Sequence, residues 1–136
     1  MTRILLAEDE QAMREYLART LERSGYDVVA VDRGTAAAPL LEQEHFDLLL
    51  TDIVMPEMDG IETARHLQFL SKPPAVIFTT AFDNYAMQAF DMNAVDYLLK
   101  PISQERFLKS ISRYINSRAN NGPILNSEMP NQSYIT

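Results

Sequence analysis

Five short apolar runs recur along the chain, and their spacing constrains the fold more than any other feature. Each run is rich in valine, isoleucine or leucine and shows almost no polar alternation, which is typical of strands buried on both faces of a parallel sheet. We therefore predict five strands, all buried on both faces. The runs are ILLA at 4–7, VVAV at 28–31, LLL at 48–50, AVIF at 75–78 and VDYLL at 95–99.

Segments with helical periodicity lie between these runs. Met13, Leu17 and Leu21 recur at every fourth position after the first run, and a similar spacing extends from Phe107 to Ile115 near the end. Five alternating strand and helix patterns predict an α/β fold with a doubly wound parallel sheet and helices on both faces.

Glycine and proline mark the helix ends. Gly25 follows the first helical segment, where a left-handed cap is expected. Gly34 breaks the chain before the second segment, and Pro39 lies inside or near that segment, so the sequence leaves the start of the second helix open.

The composition limits the class of protein. The chain has 136 residues, 46% of them apolar, and no cysteine, which predicts one compact domain without disulfides or thiolate metal sites. A net charge of −7 disfavours direct nucleic-acid binding, which requires a basic face. No apolar stretch approaches the roughly 20 residues that span a bilayer, and no secretory signal opens the chain. We therefore expect a cytoplasmic protein without a membrane partner.

The amino-acid composition changes after about residue 117. The segment 118–136 is rich in asparagine, serine and proline and has no periodicity. We predict a folded domain over 1–117 and a flexible tail or truncated linker over 118–136.

Polar side chains follow the predicted strands where each strand ends. Glu8, Asp9 and Glu10 come after the first run, Asp52 after the third, Thr79 and Thr80 after the fourth and Lys100 after the fifth. Ligands bind beyond the carboxyl ends of the strands in open parallel sheets. The sequence therefore predicts that strand-end acids, a hydroxyl and an amine gather at one edge.

The chemistry of this set favours a divalent cation and a phosphoryl group. Three carboxylates repel one another unless a cation lies among them, and their hard oxygens suit Mg²⁺. A carboxylate such as Asp52 can accept a phosphoryl group as a nucleophile. Lys100 and a threonine hydroxyl can contact phosphoryl oxygens. Pro56 and Gly60 are expected to turn the chain so that the Asp52 side chain stays open to solvent.

The combination of motifs resembles the receiver domain of two-component response regulators. The motifs are LLAEDE, LLLTDIVMPEMDG, VIFTTAF and DYLLKPI, in the order and spacing of that family, and the resemblance covers about residues 3–117. It implies a flavodoxin-like (βα)5 fold with strand order 2-1-3-4-5.

The resemblance also implies the roles of the acids. Asp52 is the expected phosphoacceptor and a ligand of Mg²⁺, for which Mn²⁺ can substitute. Asp9 is the direct ligand, Glu8 holds the ion through water, and the backbone carbonyl of Val54 completes the coordination.

Three further roles come from the resemblance. Lys100 is the expected phosphoryl-binding lysine and Tyr97 the switch aromatic residue. Thr80 is the expected switch hydroxyl, chosen over Thr79 because the family has a small residue next, here Ala81.

The expected function is that of a phosphorelay signalling domain. A sensor histidine kinase or a phosphotransfer protein donates the phosphoryl group, and the domain catalyses its own phosphorylation and dephosphorylation without turning over a metabolite. The surface of the fourth helix, fifth strand and fifth helix then changes, and an output domain, a protein adaptor or a second copy in a homodimer reads it.

Two apolar positions predict the lifetime of the phosphorylated form. Val54 lies two residues after Asp52, and Phe82 lies two residues after Thr80. Neither side chain can orient an attacking water, so we expect slow self-dephosphorylation.

The two halves of the chain resemble different receivers. The part before the segment Leu67–Pro73 is similar to alphaproteobacterial single-domain receivers, and the part after it is similar to receivers attached to LytTR-type DNA-binding domains. This predicts a natural mixture or a chimera.

Several alternatives remain at this point. Asp52 could cap a strand, Glu8 and Asp9 could be the N-cap and first-turn acids of the first helix, and Tyr97 could be plain core. Glu10 is expected to serve both the start of the helix and the ion. A flavodoxin-like flavin binder would need a first loop rich in serine, threonine and glycine, and a haloacid-dehalogenase-type phosphatase would need an acid at position 54. A degenerate receiver that only binds partners would usually lack one of the site residues.

Overall fold

The computed structural model describes residues 1–119, which fall into two compact units divided between Ile102 and Ser103. The second unit contains helix α5, Gln104–Ala119. The first unit contains strands β1 Arg3–Ala7, β2 Asp27–Val31, β3 Leu48–Asp52, β4 Ala75–Thr80 and β5 Asp96–Leu99, with helices α1 Gln11–Arg23, α2 Gly34–Gln43, α3 Gly60–Arg65 and α4 Ala86–Asp91 and a 3₁₀ turn at His66–Phe69.

The strands form one parallel sheet in the order β2-β1-β3-β4-β5. The predicted fold class and strand order are therefore confirmed. Asp52 stands opposite Thr79 in the register of β3 and β4, so the ends of these strands lie side by side. This register places the last residues of the strands at one edge of the sheet.

The burial of the strands differs between the centre and the edges of the sheet. All five residues of β3 are buried, and β1 and β4 are nearly as buried. The prediction of two buried faces is wrong for β2 and β5, where Ala30 and Leu99 are exposed. The edge strands have a neighbour on one side only, and less of their surface is covered as a result.

Glycines lie directly after the end of α1 and at the start of α2. Gly25 follows α1 with a φ of +94°, which confirms the predicted left-handed cap. Gly34 is the first residue of α2, and Pro39 lies inside that helix, where it cannot donate a backbone hydrogen bond.

Helix α5 carries its buried side chains on one face. Phe107, Ile111 and Tyr114 are buried and recur at helical spacing. The described part of the helix reaches Ala119, two residues beyond the predicted end of the domain at 117. The predicted tail from residue 120 onward lies outside the described residues. Among residues 1–119, no helix combines the length and apolar character needed to cross a bilayer.

Candidate functional site

Three carboxylates meet at the carboxyl edge of the sheet. Glu8 and Asp9 directly follow β1, and Asp52 is the last residue of β3. Each offers an oxygen within 4.8 Å of the other two. Glu8 is fully buried and Asp9 is exposed. The parallel arrangement thus brings together the acids that the sequence predicts.

Lys100 joins two of these acids from the end of β5. Its Nζ donates to Asp52 Oδ2 at 3.2 Å and to Glu8 Oε2 at 3.3 Å. It also lies 3.0 Å from Glu8 Oε1, as an ion pair without the alignment of a hydrogen bond. Oε1 therefore remains a buried carboxylate oxygen without a hydrogen-bond donor.

Burial and charge shift the protonation of this cluster. Burial raises the pKa of Asp52, the charge of Glu8 raises it further, and Lys100 opposes both, so that the pKa is about 7. Burial by itself would lower the pKa of Lys100, but the charges of Asp52 and Glu8 outweigh it and the pKa is raised. Lys100 is therefore a cation over the whole physiological range.

The cluster fits a hard divalent cation. The cluster holds three carboxylates, of which the ammonium group contacts two, and Glu8 Oε1 has no hydrogen-bond donor although it is buried. All the side-chain donors are carboxylate oxygens, which is the ligand chemistry of Mg²⁺ and Mn²⁺. Val54, whose carbonyl the sequence proposes as a ligand, lies in the loop that begins directly after Asp52.

The loop after β3 folds tightly against the end of the strand. The backbone N–H of Gly60 donates to the carbonyl of Ile53 at 2.8 Å, and Met55 is buried in the core. A Cβ on Gly60 would collide with the carbonyl of Asp52, so only glycine permits this approach. Asp52 is 5% exposed, which contradicts the expectation of a side chain open to solvent. The loop returns over the strand instead of turning away from it.

The start of α1 holds Glu8 in place. Glu8 Oε2 accepts a hydrogen bond from the backbone N–H of Glu10 at 3.1 Å, and the guanidinium of Arg14 donates to the Glu8 carbonyl at 2.9 Å. Glu10 lies at the cap position, but its side chain makes no capping bond, so its expected capping role is not seen. Arg14 is not predictable as part of the site, because a contact between a side chain and a carbonyl six residues earlier has no sequence signature.

Thr80 and Tyr97 contact the loop between β4 and α4. The fully buried Thr80 accepts a hydrogen bond from the N–H of Phe82 at 3.2 Å. The hydroxyl of Tyr97 donates to the Phe82 carbonyl at 2.6 Å and accepts from the N–H of Tyr85 at 3.3 Å. Both predicted switch residues therefore bind the backbone of one segment, 82–85, whose part in the site the sequence did not indicate.

The two residues predicted to tune dephosphorylation are both exposed. Val54 is 43% exposed and Phe82 is 53% exposed. Each follows a site residue by two positions, Asp52 and Thr80 respectively. The edge of the sheet thus presents two apolar side chains to solvent next to the buried charges.

Comparison with known proteins agrees with this geometry. Residues 4–112 match the family model described as the response regulator receiver domain. The chain is 44% identical over 105 residues to an uncharacterized response regulatory protein of Vibrio cholerae, covering 75% of this chain and 40% of that protein. It is 49% identical over 87 residues to the response regulator receiver protein CpdR of Brucella abortus, covering 64% of this chain and 72% of that protein.

A solved structure shows the same architecture. The crystal structure of the response regulator protein TrrA from Thermotoga maritima, in complex with Mg²⁺-BeF, superposes with a TM-score of 0.75 at 27% identity and covers 84% of this chain and 99% of that one. The chain spans less than half of the length of the Vibrio cholerae relative. The match over most of its residues shows that the chain belongs to the response regulator receiver domain family.

Proposed function

We propose that this receiver domain accepts a phosphoryl group on Asp52 from a phosphohistidine of a sensor histidine kinase or a phosphotransfer protein. The observation that carries the proposal is the buried contact of Lys100 with Asp52 and Glu8. A structural ion pair would need one acid for one amine. Here a second buried acid and the nearby Asp9 leave an excess of negative charge that suits a cation and a phosphoryl group.

The transfer uses the ionised carboxylate of Asp52. One of its oxygens attacks the phosphorus in line, the bond between phosphorus and the imidazole nitrogen breaks, and the imidazole leaves with the electron pair. Lys100, which is held 3.2 Å from Asp52 Oδ2, is placed to contact a phosphoryl oxygen. Oγ1 of Thr80 accepts a hydrogen bond from the backbone N–H of Phe82. The hydroxyl proton of Thr80 therefore stays available to a phosphoryl oxygen.

Glu8, Asp9, Asp52 and the carbonyl of Val54 are the proposed ligands of Mg²⁺, with Mn²⁺ as a substitute. When bound, the ion would supply positive charge for the phosphoryl oxygens. Glu8 Oε1, which accepts no hydrogen bond, and the excess of carboxylates support this assignment. The complex of TrrA with Mg²⁺-BeF supports it by relationship.

The switch is proposed to act through the segment 82–85. Phosphorylation replaces the single negative charge of the ionised Asp52 with the charge of a phosphoryl group, about −1.5 to −2. If Thr80 turns toward the new oxygens, the N–H of Phe82 loses its acceptor. Because Tyr97 binds the same segment through the Phe82 carbonyl, a shift of this segment changes the position available to Tyr97. This is a local charge event that biases a two-state element.

The readers of the switch are proposed to be an output domain, a protein adaptor or a second copy of the chain. Met87 and Phe90 on α4 and Leu99 on β5 are exposed apolar side chains that a partner can cover. The net charge of −7 disfavours direct binding of this domain to nucleic acid. A cytoplasmic location, where a kinase can reach the domain, is part of the proposal.

A small phosphodonor tests the function directly. The protein is incubated with acetyl phosphate with and without Mg²⁺, and the phosphoprotein is measured by intact mass and by its lability in alkali. We expect an alkali-labile phosphoryl group that requires Mg²⁺ and disappears in Asp52→Asn. Asp91→Asn, which changes an exposed acid on α4, is the matched control and should keep the label. An unlabelled wild-type protein would overturn the proposal and favour a receiver that only binds partners.

A further inference from the structure

The loop between β3 and α3 contains a residue in an unfavourable backbone conformation. Glu57 has a φ of +68°, in the left-handed region that non-glycine residues rarely adopt. It lies three residues after Val54, whose carbonyl is a proposed ligand of Mg²⁺. Such a conformation persists only where surrounding contacts hold it.

The contact that holds Glu57 comes from the start of α2. The hydroxyl of Thr35 donates to Glu57 Oε1 at 2.9 Å, across 22 residues of sequence. Both side chains are exposed, so this bond is not forced by burial in the core. The bond joins the second residue of α2 to the tip of the loop that follows Asp52.

The neighbouring residue of α2 brings the two backbones together. A Cβ on Gly34 would collide with the carbonyl of Met58 and would lie 2.6 Å from Oγ1 of Thr63. Only a glycine at this position permits so close an approach. Gly34 and Thr35 therefore form a backbone contact and a side-chain contact with successive parts of the same loop.

Other contacts hold the base of the loop rather than its tip. The N–H of Gly60 donates to the Ile53 carbonyl at 2.8 Å, and Met55 is buried in the core. Val54 is 43% exposed between these two anchors. The direction of its carbonyl depends on the backbone path from Ile53 to Glu57, which the contact with Thr35 constrains.

We propose that Thr35 and Glu57 are positioning residues for the metal site: their hydrogen bond holds the loop after Asp52 in the conformation in which the Val54 carbonyl can bind Mg²⁺. The inference rests on the proposed function. A ligand binds with an apparent affinity reduced by the fraction of molecules in the competent conformation. Loss of the bond lowers that fraction and so weakens Mg²⁺ binding, although neither side chain touches the ion.

The test replaces the hydroxyl without changing the size of the side chain. In Thr35→Val, the dissociation constant for Mg²⁺, measured from amide shifts in an NMR titration, should rise about threefold. Hydrogen exchange of the Gly60 amide, which closes the loop, should become faster by about the same factor in the metal-free protein. Thr35→Ser and Glu57→Gln, which keep a donor and an acceptor, should resemble the wild type.

A control removes a similar hydrogen bond elsewhere. Ser24 donates through its hydroxyl to the Thr20 carbonyl at the end of α1, far along the chain from this loop. Ser24→Ala should leave the Mg²⁺ affinity and Gly60 exchange unchanged. This separates positioning of the loop from a general loss of stability, which the melting temperature of each metal-free variant reports.

A double variant separates backbone conformation from the side-chain contact. Glu57→Asn makes the left-handed conformation easier to adopt but shortens the side chain. If the hydrogen bond serves to hold that conformation, Thr35→Val should have no further effect in the Glu57→Asn background. A full threefold effect in that background would overturn the inference, since Thr35 would then act by another route.

The remaining outcomes are distinct. Faster Gly60 exchange and weaker Mg²⁺ binding in Thr35→Val, but not in Ser24→Ala, support the inference. An unchanged Mg²⁺ affinity in Thr35→Val overturns it, and Mg²⁺-dependent labelling of the wild type would leave the proposed function intact. A wild-type protein that binds no Mg²⁺ overturns both.

Discussion

The two edges of the sheet each gather acids around a single cation, yet they differ in their surroundings. At the amino edge, Arg3 lies 3.2 Å from Asp27 and 2.7 Å from Glu44, and the three side chains are 32%, 50% and 40% exposed. At the carboxyl edge, Lys100 lies between Glu8 and Asp52, and these side chains are 16%, 0% and 7% exposed. Similar charges are hydrated at one edge and excluded from water at the other.

This contrast indicates that burial, rather than the type of charge, sets the protonation of the acids at the carboxyl edge. The hydrogen bond with Glu44 raises the pKa of Arg3, so this guanidinium simply stays charged. Burial raises the pKa of Asp52 to about 7, so this carboxylate lies near its protonation midpoint until a further cation arrives. Exposed pairs contribute little to stability, whereas buried charges without full compensation are functional-site candidates.

The largest effect is expected when the cation of the carboxyl edge is removed. Lys100→Met should lower the initial rate of phosphorylation by acetyl phosphate about 100-fold, because a preorganised positive charge on the phosphoryl oxygens is lost. Lys72→Met removes an exposed lysine as the matched control and should keep the wild-type rate. A Lys100→Met rate within about threefold of the wild type would contradict the role of this edge.

Asp52→Asn tests whether burial raises the pKa of Asp52, because the pKa sets how the free energy of unfolding depends on pH. A pKa raised from 3.8 to about 7 means that the folded state keeps a proton that the unfolded state loses. Metal-free wild-type protein should therefore lose stability relative to Asp52→Asn as the pH rises from about 4 to 7, with no further loss above 7.

Solvent at the edge of the site limits the expected difference in the free energy of unfolding between the wild type and Asp52→Asn. The full shift corresponds to roughly 4 kcal/mol, which screening reduces to about 2 kcal/mol. Urea unfolding of both proteins at several pH values measures the difference. A difference that stays constant between pH 4 and 7 would show that the pKa of Asp52 is not raised.

The exposed apolar side chains of Val54 and Phe82 are expected to control the lifetime of the phosphoryl group. The double variant Val54→Asn with Phe82→Glu should hasten loss of the label about tenfold, because polar groups there can orient a water. Decay of the phosphoprotein after removal of the donor measures the rate. Val54→Ile with Phe82→Leu keeps the positions apolar and should decay as slowly as the wild type. An unchanged rate in the polar variant would contradict the role of these positions.

The smallest effect is expected at the amino edge. Arg3→Gln removes both ion pairs and the contact of the guanidinium with the ring of Phe46 at 4.6 Å. The melting temperature should fall slightly at low salt and less at high salt, because salt screens exposed pairs. The phosphorylation rate should not change. A loss of labelling comparable to that of Lys100→Met would remove the distinction between the two edges.

A separate origin of the parts of the chain before and after Leu67–Pro73 stays a prediction. The sheet is nevertheless continuous across this segment, since β3 pairs with β4 over five positions from Leu48 to Asp52. The burial of β3 and β4 shows that the two parts share one core. A mixed origin would thus not prevent alignment of Asp52 with Lys100.

Patterns in the sequence were enough to predict the strands and the acids at one edge, while the strand order came from the resemblance to receiver domains. Apolar runs and helical spacing are local patterns, and parallel strands bring their carboxyl ends together whatever the side chains do. The resemblance over the four motifs then assigned roles to Asp52, Lys100 and Thr80. These predictions needed only the order of residues along the chain.

The contacts that hold these groups are visible only in the folded structure. The burial of Asp52, the contact of Arg14 with the Glu8 carbonyl and the bond from Thr35 to Glu57 depend on how the backbone returns over the sheet. Such contacts join residues that no periodic pattern relates. The pKa of a carboxyl group is set by the water and charges around it in three dimensions, and for this reason the sequence could name Asp52 but not its protonation state.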